Sequence, residues 1–267
     1  MNTLMAHPPA NIDVLLMEGT NLPHAAAHCK PTPTEDELLQ GFVDVFNNTP
    51  GRVFVTASCS NVDRIVTLYK ACRRTSRTLV IDLYTAYLLE QIGKLYNSIP
   101  RAGFGNIKVV VTRRINNYVI ERFKQNNLVD RLVDAKSAIK ARTLDKTYKR
   151  WVIMVRKSML DDFSHAGIVP TNDDTWVWSL WEGYCKKDWA KHLAEFFKTC
   201  RQETLHTSGH ASQEILHKFA VSMNPRMLIP IHGEAWAEHA AVFPNVRLVR
   251  NGEWISITGE IYEQSHP

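Results

Sequence analysis

The amino-acid sequence predicts an α/β protein with a parallel sheet covered by helices on both faces. The runs "RVFVTA" and "NIKVVVT" are almost continuously apolar, as expected of strands that are buried on both sides. A helical pattern, "NVDRIVTLYKACRRT", follows the first run, and similar patterns separate the other strands. The 267 residues suffice for one large domain or two smaller ones. This alternation predicts one α/β region over residues 31–199.

The predicted elements follow one another in order along the chain. The run "IDVLLM" gives a first strand that ends at "EGT", and "TPTEDELLQGFVDVFNN" gives a first helix. The strand and helix pairs of the middle region come next, and a charged, Asn-rich stretch over 113–148 holds one or two more helices. "KRWVIMVRKSML" and "TWVWSLWEGY" then predict two further strands.

The last part of the chain predicts a helix, a strand–helix–strand unit and a hairpin. "KKDWAKHLAEFFKTC" has the apolar spacing of an amphipathic helix. "LHTSGHASQEILHKFAVSMNPRMLIPIHGE" reads as strand, helix and strand, and "AWAEHAAVF" as a short helix. In "VRLVRNGEWISI", the Asn251–Gly252 pair predicts the turn of a hairpin.

Composition limits the class of protein. An apolar fraction of 45% and a charged fraction of 22% are typical of a globular chain, and the longest apolar runs are too short to cross a bilayer. The N-terminus lacks the pattern of a signal peptide, and the five cysteines are scattered without a CxxC pair. We therefore expect a reduced, cytoplasmic chain with no membrane partner and no cysteine-type zinc site.

The charge permits a polyanionic partner without demanding one. The formal net charge is +5, and residues 136–157 carry eight Lys or Arg against one Asp. Such a run is either a solvated face or a surface for a polyanion, and the two readings have similar weight.

Three predicted strands end at ionisable residues beside a glycine. "IDVLLMEGT" brings Glu18 to a strand end, "LHTSGHAS" brings His210, and "IPIHGE" brings His232. Function in open α/β folds gathers at the carboxyl ends of strands. A carboxylate can orient one imidazole while a second, neutral imidazole binds zinc, which suits metal-assisted hydrolysis of a phosphodiester. Each element alone is also compatible with an ordinary turn or a surface histidine.

Two other groups of residues have a weaker case. The segment "HAAAH" spaces His24 and His28 four residues apart, but no Glu follows His24 and a proline precedes it, so metal binding there is disfavoured. The tryptophans of "TWVWSLW", which are Trp176, Trp178 and Trp181, could stack on bases. Their alternation in an apolar strand is more typical of core.

The segment "LHTSGHASQEILHKFAVSMNPRMLIPIHGE" resembles the terminal segment of the metallo-β-lactamase-fold nucleases with a β-CASP domain, known as the RNA-specificity motif of zinc-dependent metallo-hydrolases. "DVLLMEGT" resembles the family's motif A strand, "VTASCSNVDRI" the start of its β-CASP domain, and "SLWEGY" a sequence of its bacterial members. The resemblance runs in the family's order over about residues 11–258.

The resemblance implies a role for each matching residue. Glu18 stands at motif A and would orient His210 at motif B, which would donate a proton to the leaving oxygen or stabilise the transition state. His232 stands at motif C as a zinc ligand, and a histidine there goes with the RNA-acting members. The implied phosphate contacts are Ser58, Asn61, Arg64, Ser208 and Gly209.

The sequence departs from the family in its metal ligands. The motif His-x-His-x-Asp-His occurs nowhere in it, and only seventeen residues precede Glu18. A stable zinc site needs three or four protein ligands, and this chain offers one of the expected set. We therefore expect a C-terminal portion of the family, with a β-CASP domain over 31–199 inserted in a partial metallo-β-lactamase αβ/βα fold that is formed by 1–30 and 200–267.

Three functions remain open at this point. The first is a zinc-dependent RNA-processing hydrolase that binds RNA in a cleft between its two parts and is inactive until a complementing half or a second copy completes it. The second is a non-catalytic RNA-binding or interaction remnant. The third is a metallo-hydrolase of a small phosphorylated or ester substrate, because this fold hosts many chemistries. The first predicts an exposed apolar surface where the complementing half would pack.

Overall fold

The structure is a computed structural model that describes residues 2–24, 35–145, 150–207, 209–257 and 261–262. It divides into two compact units. The terminal unit comprises Met1–Thr32 and Ser208–Pro267, and the central unit comprises Pro33–Thr207.

The strands are β1 (Val14–Glu18), β2 (Val53–Thr56), β3 (Thr78–Asp82), β4 (Ile107–Val111), β5 (Ala138–Lys140), β6 (Trp151–Met154), β7 (Thr175–Trp178), β8 (Arg201–Thr204), β9 (Met227–Ile231), β10 (Trp254–Ile255) and β11 (Ile261–Tyr262). The α-helices are α1 (Asn2–Ala6), α2 (Glu35–Asn48), α3 (Val62–Arg74), α4 (Leu83–Gly93), α5 (Arg113–Phe123), α6 (Leu128–Asp134), α7 (Leu160–His165), α8 (Asp188–Phe196), α9 (Gln213–Met223) and α10 (Trp236–His239). Short 3-10 turns cover Ala141–Asp145, Lys157–Met159, Glu182–Lys186 and Ala240–Val242.

The central unit is built on a seven-stranded sheet with the order β5-β4-β3-β6-β2-β7-β8, in which every pair is parallel. All residues of β2, β3, β6 and β7 are buried. Burial of both sides of a strand requires cover on both faces of the sheet, which explains why the apolar runs are continuous rather than alternating. The predicted α/β fold class is confirmed.

The edge strand β8 marks the end of the central unit. It pairs with β7 from Thr175↔Arg201 to Trp178↔Thr204. The sequence predicts that the C-terminal segment begins at residue 200, whereas the compact units divide between Thr207 and Ser208. The pairing of β8 with the large sheet is the physical reason for this later boundary.

Two buried arginines tie the central sheet to its surroundings. Arg52 precedes β2 and is fully buried, and its Nε and Nη2 donate to the buried carboxylate of Asp174 at 3.1 and 2.7 Å. The backbone N–H of Arg52 also donates to Asp174 at 2.7 Å. Arg77 precedes β3 and donates to the carbonyl oxygens of Thr49 and Gly51. A buried charge is tolerable only with partners of this kind.

The terminal unit brings the two ends of the chain together. Strands β1 and β9 form a two-stranded parallel sheet, with Val14 opposite Met227 and Glu18 opposite Ile231. One face of this sheet packs on α9 and α10. The buried residues of this small core are Met17, Leu22, Leu216, Ala220, Leu228, Ala235, Trp236 and Phe243.

The other face of the β1–β9 sheet is apolar and open. Leu16 is 59% exposed and Ile231 is 41% exposed, while Ile257 beyond β10 is 70% exposed. A groove of about 410 Å³ runs along this face, lined by Val14, Leu16, Met227, Ile229, Ile255, Ser256 and Ile257. Exposed apolar side chains that lie together on one face of a sheet are a candidate contact surface for another protein segment.

The predicted hairpin in "VRLVRNGEWISI" is wrong in its pairing. Arg247 donates its backbone N–H to Leu228 O at 2.8 Å, and Leu228 donates to Asn245 O at 2.9 Å. Residues 245–247 therefore lie beside β9, and β10 pairs instead with β11. Gly252 still forms a turn with a φ of +87°. Local turn chemistry identified the turn but could not identify the partner of each strand.

The three tryptophans of "TWVWSLW" have two different environments. Trp176 and Trp178 lie in β7 and are each 6% exposed, so the core interpretation is right for them. Trp181 lies beyond the end of the strand and is 62% exposed. Among the described residues, no helix has the length and apolar character needed to span a membrane.

Replacing Asp174 by asparagine is expected to destabilise the central unit by about 3–5 kcal/mol, because Arg52 would keep a buried charge without its carboxylate. Urea unfolding of the full chain measures this change. The matched control is Glu195→Gln, which breaks the exposed Glu195–Lys198 pair and should cost less than about 1 kcal/mol. Equal unfolding midpoints for the two variants would contradict the structural role of Asp174.

Candidate functional site

The candidate site lies where β1 and β9 end side by side. The parallel register places Glu18 opposite Ile231, so the segments that follow the two strands leave the sheet together. Gly19 donates its backbone N–H to His232 O at 2.8 Å, which extends the contact beyond the sheet. Carboxyl ends of parallel strands are the usual position of functional residues in α/β folds.

Two glycines allow this close approach. Gly233 has a φ of +121°, and a Cβ there would lie 2.5 Å from the carbonyl oxygen of Gly19. A Cβ on Gly19 would lie 2.2 Å from Nε1 of Trp236. Gly233 therefore packs against the backbone of Gly19, and Gly19 packs against the ring of Trp236, so neither position has room for a Cβ.

Glu18 is the centre of the site. Its Oε2 lies 3.0 Å from Nδ1 of His210 and accepts the backbone N–H of Thr20 at 3.1 Å. Its Oε1 accepts the backbone N–H of Ala211 at 3.3 Å. One carboxylate thus fastens the segment that follows β1 to the segment that precedes α9. The side chain is 26% exposed, so the carboxylate is screened but still reached by water.

Burial raises the pKa of Glu18, but hydrogen bonds from Thr20, the nearby His210 and a hydrogen bond from Ala211 lower it further than burial raises it. The net result is a pKa below the ordinary value of 4.5. The carboxylate is therefore ionised at neutral pH and acts as a hydrogen-bond acceptor.

His210 is held at two points. Its Nδ1 faces Glu18, and its carbonyl oxygen accepts Nδ2 of Asn21 at 2.8 Å. An ionised carboxylate can only accept, so a hydrogen bond at this distance requires the proton to lie on Nδ1. The ring is 50% exposed. In the neutral ring, this arrangement leaves Nε2 as the nitrogen without a proton.

His232 lies on the turn that follows β9. Its φ is +52°, a left-handed conformation that non-glycine residues adopt infrequently and that often marks functional positions. The side chain is exposed. Its ring makes no hydrogen bond or ion pair with the residues that the structure describes, so it is open to a ligand.

The other predicted phosphate contacts, Ser208, Gly209 and Ser58, lie in loops or outside the described residues. Ser208 lies outside the described residues. Gly209 is exposed, and a Cβ there would meet nothing within 4 Å. Ser58 lies in the loop after β2, and its Oγ is 2.9 Å from Oγ of Ser60.

Asn61 and Arg64 have structural partners in the central unit. Asn61 caps α3 by accepting the backbone N–H of Arg64 at 3.0 Å. The Arg64 side chain is 1% exposed, and its guanidinium contacts Ser179 Oγ and donates to Glu35 Oε1 at 3.1 Å. A guanidinium this buried offers little surface to a phosphate, and its observed contacts connect α3 to α2 and to the residue that follows β7.

The described residues bring together no group of three or more His, Cys, Asp or Glu side chains that could hold a metal ion. In the segment "HAAAH", His24 is occupied by a 2.9 Å contact between its Nδ1 and Glu238 Oε1, and His28 lies outside the described residues.

Two sets of polar contacts were not predicted, one at the candidate site and one in the central unit. Thr20 and Asn21 fix Glu18 and His210, and the only sequence signal for them is a polar pair directly after the strand-end glycine. In the central unit, Asp82 ends β3, caps α4 through the N–H groups of Tyr84 and Thr85, and accepts Arg156 Nη2 at 2.5 Å. An aspartate between an apolar strand and a helix is a cap signal that could have indicated this position.

The segment of the chain that carries His210 and His232 matches a known protein family. Residues 199–242 match the Zn-dependent metallo-hydrolase RNA specificity domain. The match contains His210 and His232, and it supports the metallo-hydrolase family and its RNA specificity for this segment.

Other comparisons concern the fold alone. No curated protein matches the chain. A crystal structure of a protein of unknown function from Enterococcus faecalis V583 is similar, with a TM-score of 0.60 and 18% sequence identity. The similarity covers 94% of this chain and 52% of that one, so this chain spans about half the length of that protein.

Glu18→Gln is expected to lower the stability of the terminal unit by about 1 kcal/mol at neutral pH, because the ionised carboxylate is lost. The folded-state pKa is below 4.5. The carboxylate's contribution is therefore complete above that ordinary value and disappears as the pH falls through the folded-state pKa.

Urea unfolding of wild type and variant between neutral and strongly acidic pH measures this dependence. The control is Glu234→Gln in the same unit, since the Glu234 side chain is 94% exposed. The free energies of unfolding of wild type and Glu18→Gln should become equal as the pH falls. A difference that persists unchanged at acidic pH would contradict the proposed carboxylate contacts.

Proposed function

We propose that the chain is the RNA-binding part of a zinc-dependent phosphodiester hydrolase of the β-CASP RNA-processing type. The observation that carries this proposal is the match of residues 199–242 to the RNA specificity domain. The Glu18–His210 contact of 3.0 Å supports the assignment of these two residues to motifs A and B. In this assignment, 31–199 is the β-CASP domain, and 1–30 and 200–267 belong to the metallo-β-lactamase fold.

In the proposed reaction, Glu18 is a positioning residue and His210 is the catalytic residue. Glu18 accepts Nδ1–H of His210 and fixes the plane of the ring, while Asn21 holds the backbone of the same residue. A fixed imidazole whose second nitrogen meets the substrate can deliver a proton to the leaving oxygen when it is doubly protonated. Ser58, Asn61, Ser208 and Gly209 remain the proposed phosphate contacts.

The residues described do not form a zinc site by themselves. His232 offers one exposed ring at the end of β9, and no group of three donors lies around it among the described residues. Zinc sites in proteins use three or four side-chain ligands. We therefore propose His232 as one zinc ligand and assign the other ligands to a further polypeptide segment, without which this chain does not hydrolyse RNA.

The open face of the terminal unit supports such a partner. The groove along β1 and β9 is apolar and includes Leu16, and the side chains of Leu16 and Ile231 are exposed. A complementing half of the metallo-β-lactamase fold, or a second copy of the chain, would bury these side chains. Such burial would stabilise the complex by about 25 cal/mol for each Å² of apolar area removed from water.

A second candidate is a non-catalytic RNA-binding module. It is compatible with the described residues, which hold no group of three metal donors, because RNA binding requires neither zinc nor a proton donor. For the third possibility, hydrolysis of a small molecule, no contact among the described residues gives support.

Binding and cleavage of a fluorescein-labelled single-stranded RNA distinguish these functions. We expect the purified chain to bind this RNA, with a logarithm of the association constant that falls linearly with the logarithm of the salt concentration. We expect no cleavage of the RNA when zinc chloride is added. Bound zinc should be substoichiometric and should decrease further in His232→Ala. His192→Ala, which removes another exposed histidine, is the matched control and should leave zinc binding unchanged.

Each component of the proposal has its own contradicting result. Zinc-dependent cleavage by the wild-type chain that is lost in His232→Ala and His210→Ala would show that the chain is complete on its own. If the chain shows no salt-dependent RNA binding, the proposal that RNA is its ligand is contradicted.

A further inference from the structure

Two exposed aromatic residues, Trp181 and Tyr184, follow the carboxyl end of β7, and we call this pair the aromatic step. Trp181 is 62% exposed, and Tyr184, in the 3-10 turn Glu182–Lys186, is 41% exposed. Their rings meet edge to face, with centroids 5.5 Å apart and an interplanar angle of 85°. The two rings present a large aromatic surface that none of the roles assigned above uses.

This step is anchored in the core of the central unit. Tyr184 lies 6.1 Å from Trp189, and Trp189 stacks on Trp178 at 5.8 Å with an interplanar angle of 19°. Trp178 is 6% exposed and belongs to β7. Four rings thus form a continuous series from the buried sheet to the solvent, so the outer two are held by packing rather than by a free loop.

Gly183 fixes the orientation of the Trp181 ring. A Cβ on Gly183 would lie 2.3 Å from the ring carbons of Trp181, so the indole lies directly against the backbone of Gly183. One side of the ring is supported and most of the remainder faces water. An aromatic side chain held in this way loses little conformational entropy when a second ring stacks on it.

Two lysines follow the aromatic step. Lys186 and Lys187 are exposed, and neither makes an ion pair with a residue that the structure describes. The nearby Asp188 is paired with Lys191 at 3.1 Å, so its charge is offset locally. Aromatic rings beside unpaired cations are the combination that single-stranded nucleic acids use, with bases on the rings and phosphates on the cations.

We propose that Trp181 and Tyr184 form a base-stacking subsite for unpaired RNA, with Lys186 and Lys187 neutralising the flanking phosphates. The proposal rests on the RNA-binding function proposed above and adds to it a class of ligand, a strand with unstacked bases. Duplex RNA cannot use this subsite, because its bases are stacked on one another. An apolar protein surface would use the rings but has no need of the two lysines.

The test compares two tryptophans of equal exposure in the full-length chain. Trp181→Ala should weaken binding of a fluorescein-labelled oligouridylate by about 5-fold to 100-fold, the effect of losing one stacked base. The matched control is Trp254→Ala, because Trp254 is also 62% exposed but lies in the terminal unit. It should leave the affinity unchanged, and Trp181→Phe should restore most of the affinity. Circular dichroism melting confirms that each variant is folded.

Two further measurements assign the contact to bases and to phosphates. An abasic strand of the same length should bind wild type and Trp181→Ala with equal affinity. In the double variant Lys186→Ala, Lys187→Ala, the slope of log K against log salt should become less negative by about 1.4. This change corresponds to the loss of two phosphate contacts on a single strand.

The outcomes separate this proposal from the one on which it rests. If wild type binds RNA but Trp181→Ala and Trp254→Ala bind it equally well, the stacking subsite is overturned and RNA binding stands. If wild type binds no RNA, both proposals are overturned. Equal loss of duplex and single-stranded binding in Trp181→Ala would also contradict a subsite for unpaired bases.

Discussion

The parallel pairing of β1 with β9 is the contact on which the candidate site depends. It joins the two ends of the chain, and the central unit lies between them in the sequence. Closing so long a loop costs conformational entropy, and the small core around Met17, Leu228 and Trp236 offsets that cost. The ladder continues through Met227 N–H to Asp13 O and through Gly19 N–H to His232 O. Without it, Glu18 would not meet His210.

The chemistry of the terminal unit follows from this backbone arrangement. Two glycines let the turns touch, and the ionised Glu18 then binds the ring of His210 and the backbone of Ala211. His232 adds an exposed ring on the neighbouring turn. The central unit contributes a different property, a rigid sheet that holds exposed groups such as Trp181 in a defined position. In the proposal, the terminal unit supplies the side chains for phosphodiester chemistry and most of the RNA specificity segment, and the central unit adds the exposed ring of Trp181.

Much of the fold could be predicted because local patterns determined it. Continuous apolar runs such as Val53–Thr56 report strands buried on both faces, whatever their neighbours in the sheet. The pairing of Glu18 with His210 was expected from the order of the motifs, and the structure gives its geometry. The hairpin after residue 245 was not predictable, since the choice between β9 and β11 as a partner depends on tertiary contacts.

The roles of polar side chains were the hardest to predict. Arg64 stands in a motif that resembles a phosphate-binding cluster, yet burial by α2, α3 and β7 gives its guanidinium the partners Ser179 and Glu35. Trp181 lies only three residues after the core residue Trp178, but β7 ends at Trp178, and the ring of Trp181 is exposed whereas that of Trp178 is buried. In both cases the sequence pattern is local, whereas the environment is set by elements distant along the chain.

The central claim is that Glu18 orients His210, and the tautomer of His210 tests it most directly. Two-dimensional nitrogen–proton NMR of the imidazole, above the pH at which histidine is protonated, distinguishes Nδ1–H from Nε2–H. The account predicts that Nδ1 of His210 carries the proton in wild type, and that Glu18→Gln weakens this preference while His192 is unaffected. A His210 ring with its proton on Nε2 in wild type, the tautomer favoured by a histidine side chain in water, would contradict the account.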